Sequence, residues 1–311
     1  MKHGLIIAEF LSTPWAILPE RLSAIAGVIA RMADGLPASA ATLDAVARDA
    51  EIMAARRSEA ARAGGGSIQV LPFYGVSVQR PPPEMASGSG LMSTQKFAGA
   101  LRAAVADDSV GAVLIDIDSP GGSVFGVQEL ANEIYQARSQ KPVIAIANSL
   151  AASAAYWVGS SASELYITPG GEAGSIGVFA AHQDRSKALE AEGINTTLIS
   201  AGKYKVEGSP FAPLSDDAKA FMQTRIDAHY GAFTRDVARN RGVNVDAVRN
   251  GMGEGRTLGA NAAVSAGMAD GVMTFEQVLQ KMARDLNAGK SNVRSVRSAA
   301  AMRRDIDILS A

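Results

Sequence analysis

Between residues 68 and 286, short β-branched runs alternate with longer segments whose apolar residues recur every three or four positions. The runs at 68–75, 110–117, 142–147 and 164–168 predict buried strands. The segments 93–106, 125–139, 215–241 and 274–286 predict helices. For the third of these, Ser215 is a good N-cap, Asp216 and Asp217 suit the first turn, and Gly242 supplies the stop. Strand and helix in alternation imply a parallel sheet with crossover helices, so the fold class is α/β. Two further apolar runs, 174–179 and 196–200, extend the pattern.

The first 66 residues follow a different rule. Leu22, Ile25, Ile29 and Met32 share one helical face, and an Ala-rich helical pattern runs from about Thr42 to Ala63. Gly64-Gly-Gly-Ser67 then reads as a hinge. Residues 1–66 are expected to be a helical appendage and linker, 67–286 the main domain, and 287–311 a basic, disordered tail. From Lys281 onward the chain holds seven Lys/Arg against three Asp among Ser and Ala, a poor composition for a packed core. Residues 80–90, first Pro-rich and then Gly/Ser-rich, suit a loop beside a substrate channel.

Composition narrows the function classes. Hydrophobic residues at 47% of 311 suffice for a buried core, and a net charge of −1 supplies no general attraction to nucleic acid or acidic membranes. The absence of cysteine excludes disulfides, a thiolate nucleophile and cysteine-based metal sites. Residues 142–163 are uncharged but rich in Ala, Ser, Asn and Gly, unlike the roughly 20 mainly apolar residues of a membrane span. Neither apolar stretch near the N-terminus, 4–8 or 22–30, has the form of a secretion signal. A cytoplasmic protein is expected, without membrane anchor, nucleic-acid partner, metal or cofactor.

The chemistry concentrates after two of the strands. Asp118-Ser-Pro-Gly-Gly-Ser123 follows the first, and a Gly-Gly turn leaves backbone N–H groups uncovered. Asn148-Ser-Leu-Ala-Ala-Ser153-Ala-Ala-Tyr156 follows the second and sets one serine at the head of a small-residue helix. A hydroxyl beside free N–H groups supplies a nucleophile and an oxyanion hole, the parts that acyl transfer needs. The general base is open at this level. Of the three histidines, His3 lies in the appendage and His229 sits mid-helix among apolar residues. His182 falls 29 residues beyond Ser153 and suits a Ser-His-Asp arrangement. The loop Ser200-Ala-Gly-Lys203-Tyr-Lys205-Val-Glu-Gly-Ser-Pro210 offers two lysines, either of which must be desolvated or placed near positive charge to act as a base.

Four motifs in order carry a family resemblance: Ser119-Pro-Gly-Gly-Ser123, Ala152-Ser-Ala-Ala-Tyr156, Gly174-Ser-Ile-Gly-Val178 and Gly202-Lys-Tyr-Lys205 with Gly208-Ser-Pro210. Together they resemble the signal peptide peptidase A family, Ser-Lys endopeptidases related in fold to the Clp protease and crotonase families. The resemblance spans about residues 67–285. It implies a ClpP/crotonase-like fold, Ser153 as nucleophile, Lys205 as general base, and the N–H groups of Gly122 and Ala154 as oxyanion donors. Lys203 and His182 are the alternative bases. Relatives form rings that complete the site between subunits, so a homo-oligomer is implied.

The stretch Phe10-Leu-Ser-Thr-Pro-Trp-Ala-Ile-Leu-Pro19 and the basic tail look like the phage branch of that family. Its members are capsid-assembly proteases that act in the procapsid, within the host cytoplasm, on scaffold, portal or coat protein and in some cases on themselves. The mechanism implied is attack by Ser153 with proton transfer to neutral Lys205, through an acyl-enzyme, with activity falling at acid pH. Ala/Gly-rich walls around Ser153 suggest a pocket for small or apolar side chains. Rival readings are a cellular signal-peptide or quality-control peptidase of the same family, a crotonase-like acyl-CoA enzyme, and a non-catalytic assembly protein with a relict site.

Overall fold

A computed structural model describes residues 4–22, 25–27, 68–81 and 91–288. The expected helix over 42–63, the Gly-rich hinge, most of the 80–90 loop and the tail beyond 288 lie outside the described residues. So does most of the helix expected to begin near Pro19.

The larger sheet is built on two strands that are buried over most of their length. β5 (Ala112–Ser119) lies between β2 (Ile68–Tyr74) and β7 (Val143–Ala152), all three parallel. Val113, Leu114, Ile115, Ile117, Val143 and Ile146 are completely buried, as continuous β-branched runs require when helices cover both faces. β7 is long enough to serve two partners. Its first half pairs with β8 (Glu164–Ile167) and its second with β9 (Glu172–Gly174). β10 (Thr257–Gly259) and β11 (Gly271–Val272) complete seven strands. The parallel sheet with crossover helices expected from the alternating pattern is what forms, with β10 antiparallel to β9.

Helices Thr94–Ala106, Val127–Ala137 and Ala154–Ser160 pack on one face around Leu101, Leu130, Ile134 and Trp157. A helix over 275–288 covers the other face with Phe275, Val278, Leu279 and Met282. The long helix Asp216–Arg241 starts where its sequence signals place it. Ser215 Oγ accepts the Ala218 N–H at 3.2 Å, and Gly242 closes the helix at a φ of 67°. Among the described residues no helix is long and apolar enough to cross a membrane.

Two local expectations change. Residues 196–200 form no strand; the whole of 191–200 is exposed, and 194–200 is irregular. Part of the expected appendage also joins the main domain. Trp15–Ile17 is a strand, β1, in a second sheet of order β1-β6-β3-β4, with β6 at Gly121–Ser123, β3 at Val76–Val78 and β4 at Leu91–Ser93.

One ion pair ties the end of the long helix to the sheet. Arg241 grips Asp270 with two hydrogen bonds of 2.8 and 2.9 Å, and Asp270 also accepts the Leu165 N–H at 2.7 Å. Burial opposes ionisation of Asp270, but these bonds outweigh it and leave the carboxyl below its ordinary 3.8. A carboxyl depressed in the folded state stabilises the fold above its unfolded pKa, and that contribution is lost as pH falls through the folded value. Stability is therefore expected to decline below about pH 4, and Asp270→Asn should flatten that limb in urea melts run across pH.

Candidate active site

The site begins with a sharp strand-to-helix turn. β7 ends at Ala152 and the next helix begins at Ala154, so Ser153 must reverse the chain in a single residue. It does so at φ 56° and ψ −118°, a conformation that favours glycine. Such a residue costs roughly 1–3 kcal/mol unless its surroundings hold it there.

Here they do. Ser153 donates its N–H to the Gly174 carbonyl at 2.7 Å, and its carbonyl accepts from Trp157 at 2.9 Å. The short helix is then clamped to the long one. The Trp157 ring stacks on Phe233 with centroids 4.5 Å apart, and its indole N–H donates to Asp236 at 3.0 Å. Asn240 donates to the hydroxyls of Ser160 and Ser161 at 3.2 and 2.9 Å. Tyr156 donates to the Met268 carbonyl at 3.0 Å, and burial pushes its phenol so far up that it stays a neutral donor.

This strain is testable apart from catalysis. Glycine adopts φ above zero freely, whereas alanine keeps the penalty. Ser153→Gly is expected to be more stable than Ser153→Ala by on the order of 1 kcal/mol. Equal urea midpoints would show that the turn is not strained.

The Ser153 hydroxyl is fully buried and donates to the Gly177 carbonyl at 3.3 Å. Ala154 opens the helix, so its N–H belongs to the first turn, which has no intrahelical acceptor. Gly121 and Gly122 run alongside on β6, where close approach explains both glycines. A Cβ on Gly122 would lie 1.9 Å from the Ser77 carbonyl oxygen. On Gly121, which has φ +103°, it would lie 2.2 Å from the Ala16 carbonyl oxygen and 3.0 Å from that of Ala152. The Gly-Gly strand therefore passes directly against the turn that carries Ser153, which brings Ser153, Ala154 and Gly122 into one neighbourhood.

The candidate bases lie on or beneath a projecting arm. Arg185 donates its N–H to the Pro210 carbonyl at 2.8 Å, and the His182 ring sits 3.1 Å from the Ser209 carbonyl. These two contacts close the root of the arm, and they give His182 a partner other than Ser153. Beyond the root, residues 192–206 are exposed. Lys203 lies over the Tyr204 ring at 4.7 Å. Lys205 is exposed, and its ammonium has no hydrogen-bond or ion-pair partner among the described residues. Ile194, Leu198, Ile199, Tyr204 and Val206 are exposed on the same arm, Ile199 at 95%. Within one subunit the lysines and the serine are thus not joined by a hydrogen bond. A cleft of about 750 Å³ lies beside the arm, lined by Tyr204, Glu207, Phe221 and Arg225 among others.

Comparison with known proteins bears on the same stretch. Residues 135–289, which include the strained serine and the arm, match the sequence profile of peptidase family S49. The chain is 38% identical over 227 residues to the head-tail preconnector protein GP5 of Enterobacteria phage P21, covering 73% of this chain and 44% of that protein. It is 34% identical over 226 residues to the capsid assembly protease C of Escherichia phage lambda, covering 73% and 51%. The chain thus spans about half the length of these two relatives. Among solved structures, a ClpP1 point mutant from Listeria monocytogenes aligns with 14% identity and a TM-score of 0.41, over 68% of this chain and 94% of its own. With the strained Ser153 turn and the Lys205 arm both inside the matched stretch, the chain belongs to peptidase family S49.

Proposed function

We propose that this chain is a serine endopeptidase that cleaves through an acyl-enzyme formed on Ser153. The observation that carries the reading is the conformation of Ser153, a non-glycine residue held at φ 56° at the head of a helix, against a Gly-Gly strand. Ser149 and Ser175 also lie at positive φ, 109° and 54°, but of these three serines only Ser153 stands at the head of a helix. A nucleophile needs such a turn, because it lifts the hydroxyl clear of the strand and beside the first helical N–H groups.

Ser153 Oγ attacks the peptide carbonyl and its proton passes to a neutral lysine, Lys205. The oxyanion accepts hydrogen bonds from Ala154 and Gly122. The collapsing intermediate takes the proton back from the lysine onto the leaving amine, and water deacylates the serine by the same route.

The exposure of Lys205 fits a base that is completed by assembly. A solvated ammonium is a poor general base; desolvation favours the neutral amine. A second copy of the chain packed on the arm would cover Ile194, Leu198 and Ile199 and bury Lys205 together, next to the serine of one subunit or the other. Capsid assembly is the context that we propose, with phage structural proteins as substrates. It is supported by the similarity to the lambda protease and the P21 preconnector.

Mixing two inactive proteins tests the shared site. If each site takes its serine from one subunit and its lysine from the next, Ser153→Ala and Lys205→Ala chains assembled together should recover about a quarter of wild-type activity. No recovery, from mixtures shown to co-assemble, would place both groups in one subunit.

A further inference from the structure

β1 occupies the ground that a substrate needs. Trp15 exchanges both main-chain hydrogen bonds with Phe179, at 2.8 and 2.9 Å. Neighbouring residues of a strand point their main-chain groups to opposite sides, so those of Ala16 face β6, where Ala16 stands opposite Gly122. The bonds on either side confirm the alternation. Val124 donates to the Pro14 carbonyl at 3.4 Å and Leu18 to the Pro120 carbonyl at 3.0 Å, so the bonded pairs are 14/124, 16/122 and 18/120. In this ladder the Gly122 N–H, the proposed oxyanion donor, is taken by the carbonyl of Ala16.

Burial agrees with the pairing. Ala16 and Ser153 are both 0% exposed, and Ala16 shares a core cluster with Ala154, Ala155 and Ile176. Trp15 and Ile17 anchor the strand from its other face, in a cluster with Leu22 and Val76. The Leu11 carbonyl also accepts from Ala181, so both lips of the groove hold the segment.

We infer that residues 13–18, with β1 at their centre, are a resident segment lying in the peptide-binding groove between Gly121–Ser123 and Phe179, and that they hold the enzyme latent until displaced. This rests on the peptidase reading of Ser153. An extended peptide binds by replacing β1, antiparallel to β6, with its main chain bonded to Phe179 and Gly122. Its residue in the place of Ala16 must be small, because that side chain enters a fully buried position beside the nucleophile helix.

The test uses the full chain carrying Ser153→Ala and a fluorescent peptide of the sequence Thr-Pro-Trp-Ala-Ile-Leu. One variant loosens β1 by Trp15→Ser with Ile17→Ser, which removes its anchors. Another locks it by Trp15→Cys with Phe179→Cys. These residues form a bonded antiparallel pair, whose Cα separation of about 5.5 Å a disulfide spans. The chain has no other cysteine to interfere. The expected result is binding about tenfold or more tighter in the loosened chain, because the open fraction rises, and no binding in the locked chain until a reductant is added. Equal affinity in the oxidised lock, the reduced lock and the parent would overturn the inference and leave the peptidase reading intact. Conversely, with Ser153 restored, failure of a fluorophosphonate to label the loosened chain while peptide binding is unmasked would overturn the peptidase reading and leave the resident strand in place.

Discussion

Ser153→Ala is expected to slow peptide hydrolysis by on the order of 10⁴- to 10⁶-fold, with little change in KM. The expectation follows from placement. The hydroxyl is the one group at the strained turn that can form a covalent acyl intermediate, and alanine removes it while keeping the backbone conformation. Because the substitution leaves the groove and the amides untouched, substrate should still bind. Lys205→Ala is expected to be comparably severe, since without a base the serine hydroxyl stays protonated and weakly nucleophilic. Lys203→Ala and His182→Ala should retain turnover, the first because Lys203 lies over Tyr204, the second because the His182 ring is engaged at the root of the arm. Their kcat values, measured side by side with Lys205→Ala, decide which group is the base. An active Lys205→Ala protein beside a dead His182→Ala protein would transfer the role to the imidazole.

Gly122→Ala is the second large effect. Removal of one oxyanion donor typically costs on the order of 10²- to 10³-fold in kcat. The added methyl cannot be accommodated by a side-chain adjustment, because the atom that it would meet at 1.9 Å is the Ser77 main-chain oxygen. β6 must therefore shift away from β3, and the Gly122 N–H moves with it. The expected signature is a fall in kcat that exceeds any change in KM, together with a lowered urea midpoint. A variant with normal kcat would remove Gly122 from the oxyanion hole.

Much of this architecture is legible from local pattern because the physics there is local. β5 and β7 announce themselves by the apolar runs 112–115 and 143–147, since both of their faces are covered there. The long helix is bounded by Ser215 and Gly242, residues whose own chemistry ends helices. The Ser153 turn is legible for the same reason: a buried strand running into Ala-Ser-Ala-Ala admits a tight reversal.

What escapes is long-range or intermolecular. Trp15–Ile17 is three residues between prolines, too short for periodicity, and its partner strand lies more than a hundred positions away. Nothing near it signals that its register consumes the Gly122 amide. The run at 196–200 has the composition of a strand yet is exposed at every residue, because an apolar pattern records that a surface is to be covered and not which chain covers it. The proposed pairing of Ser153 with a lysine is of this second kind. The two residues are 52 positions apart, on a buried turn and an exposed arm.

The most direct test of the central claim is to treat the chain, in its native and loosened forms, with a fluorophosphonate and map the adduct by mass spectrometry. A single covalent adduct on Ser153, suppressed in Lys205→Ala, is the expected result. Peptide hydrolysis that persists while Ser153 remains unmodified in every form would contradict it.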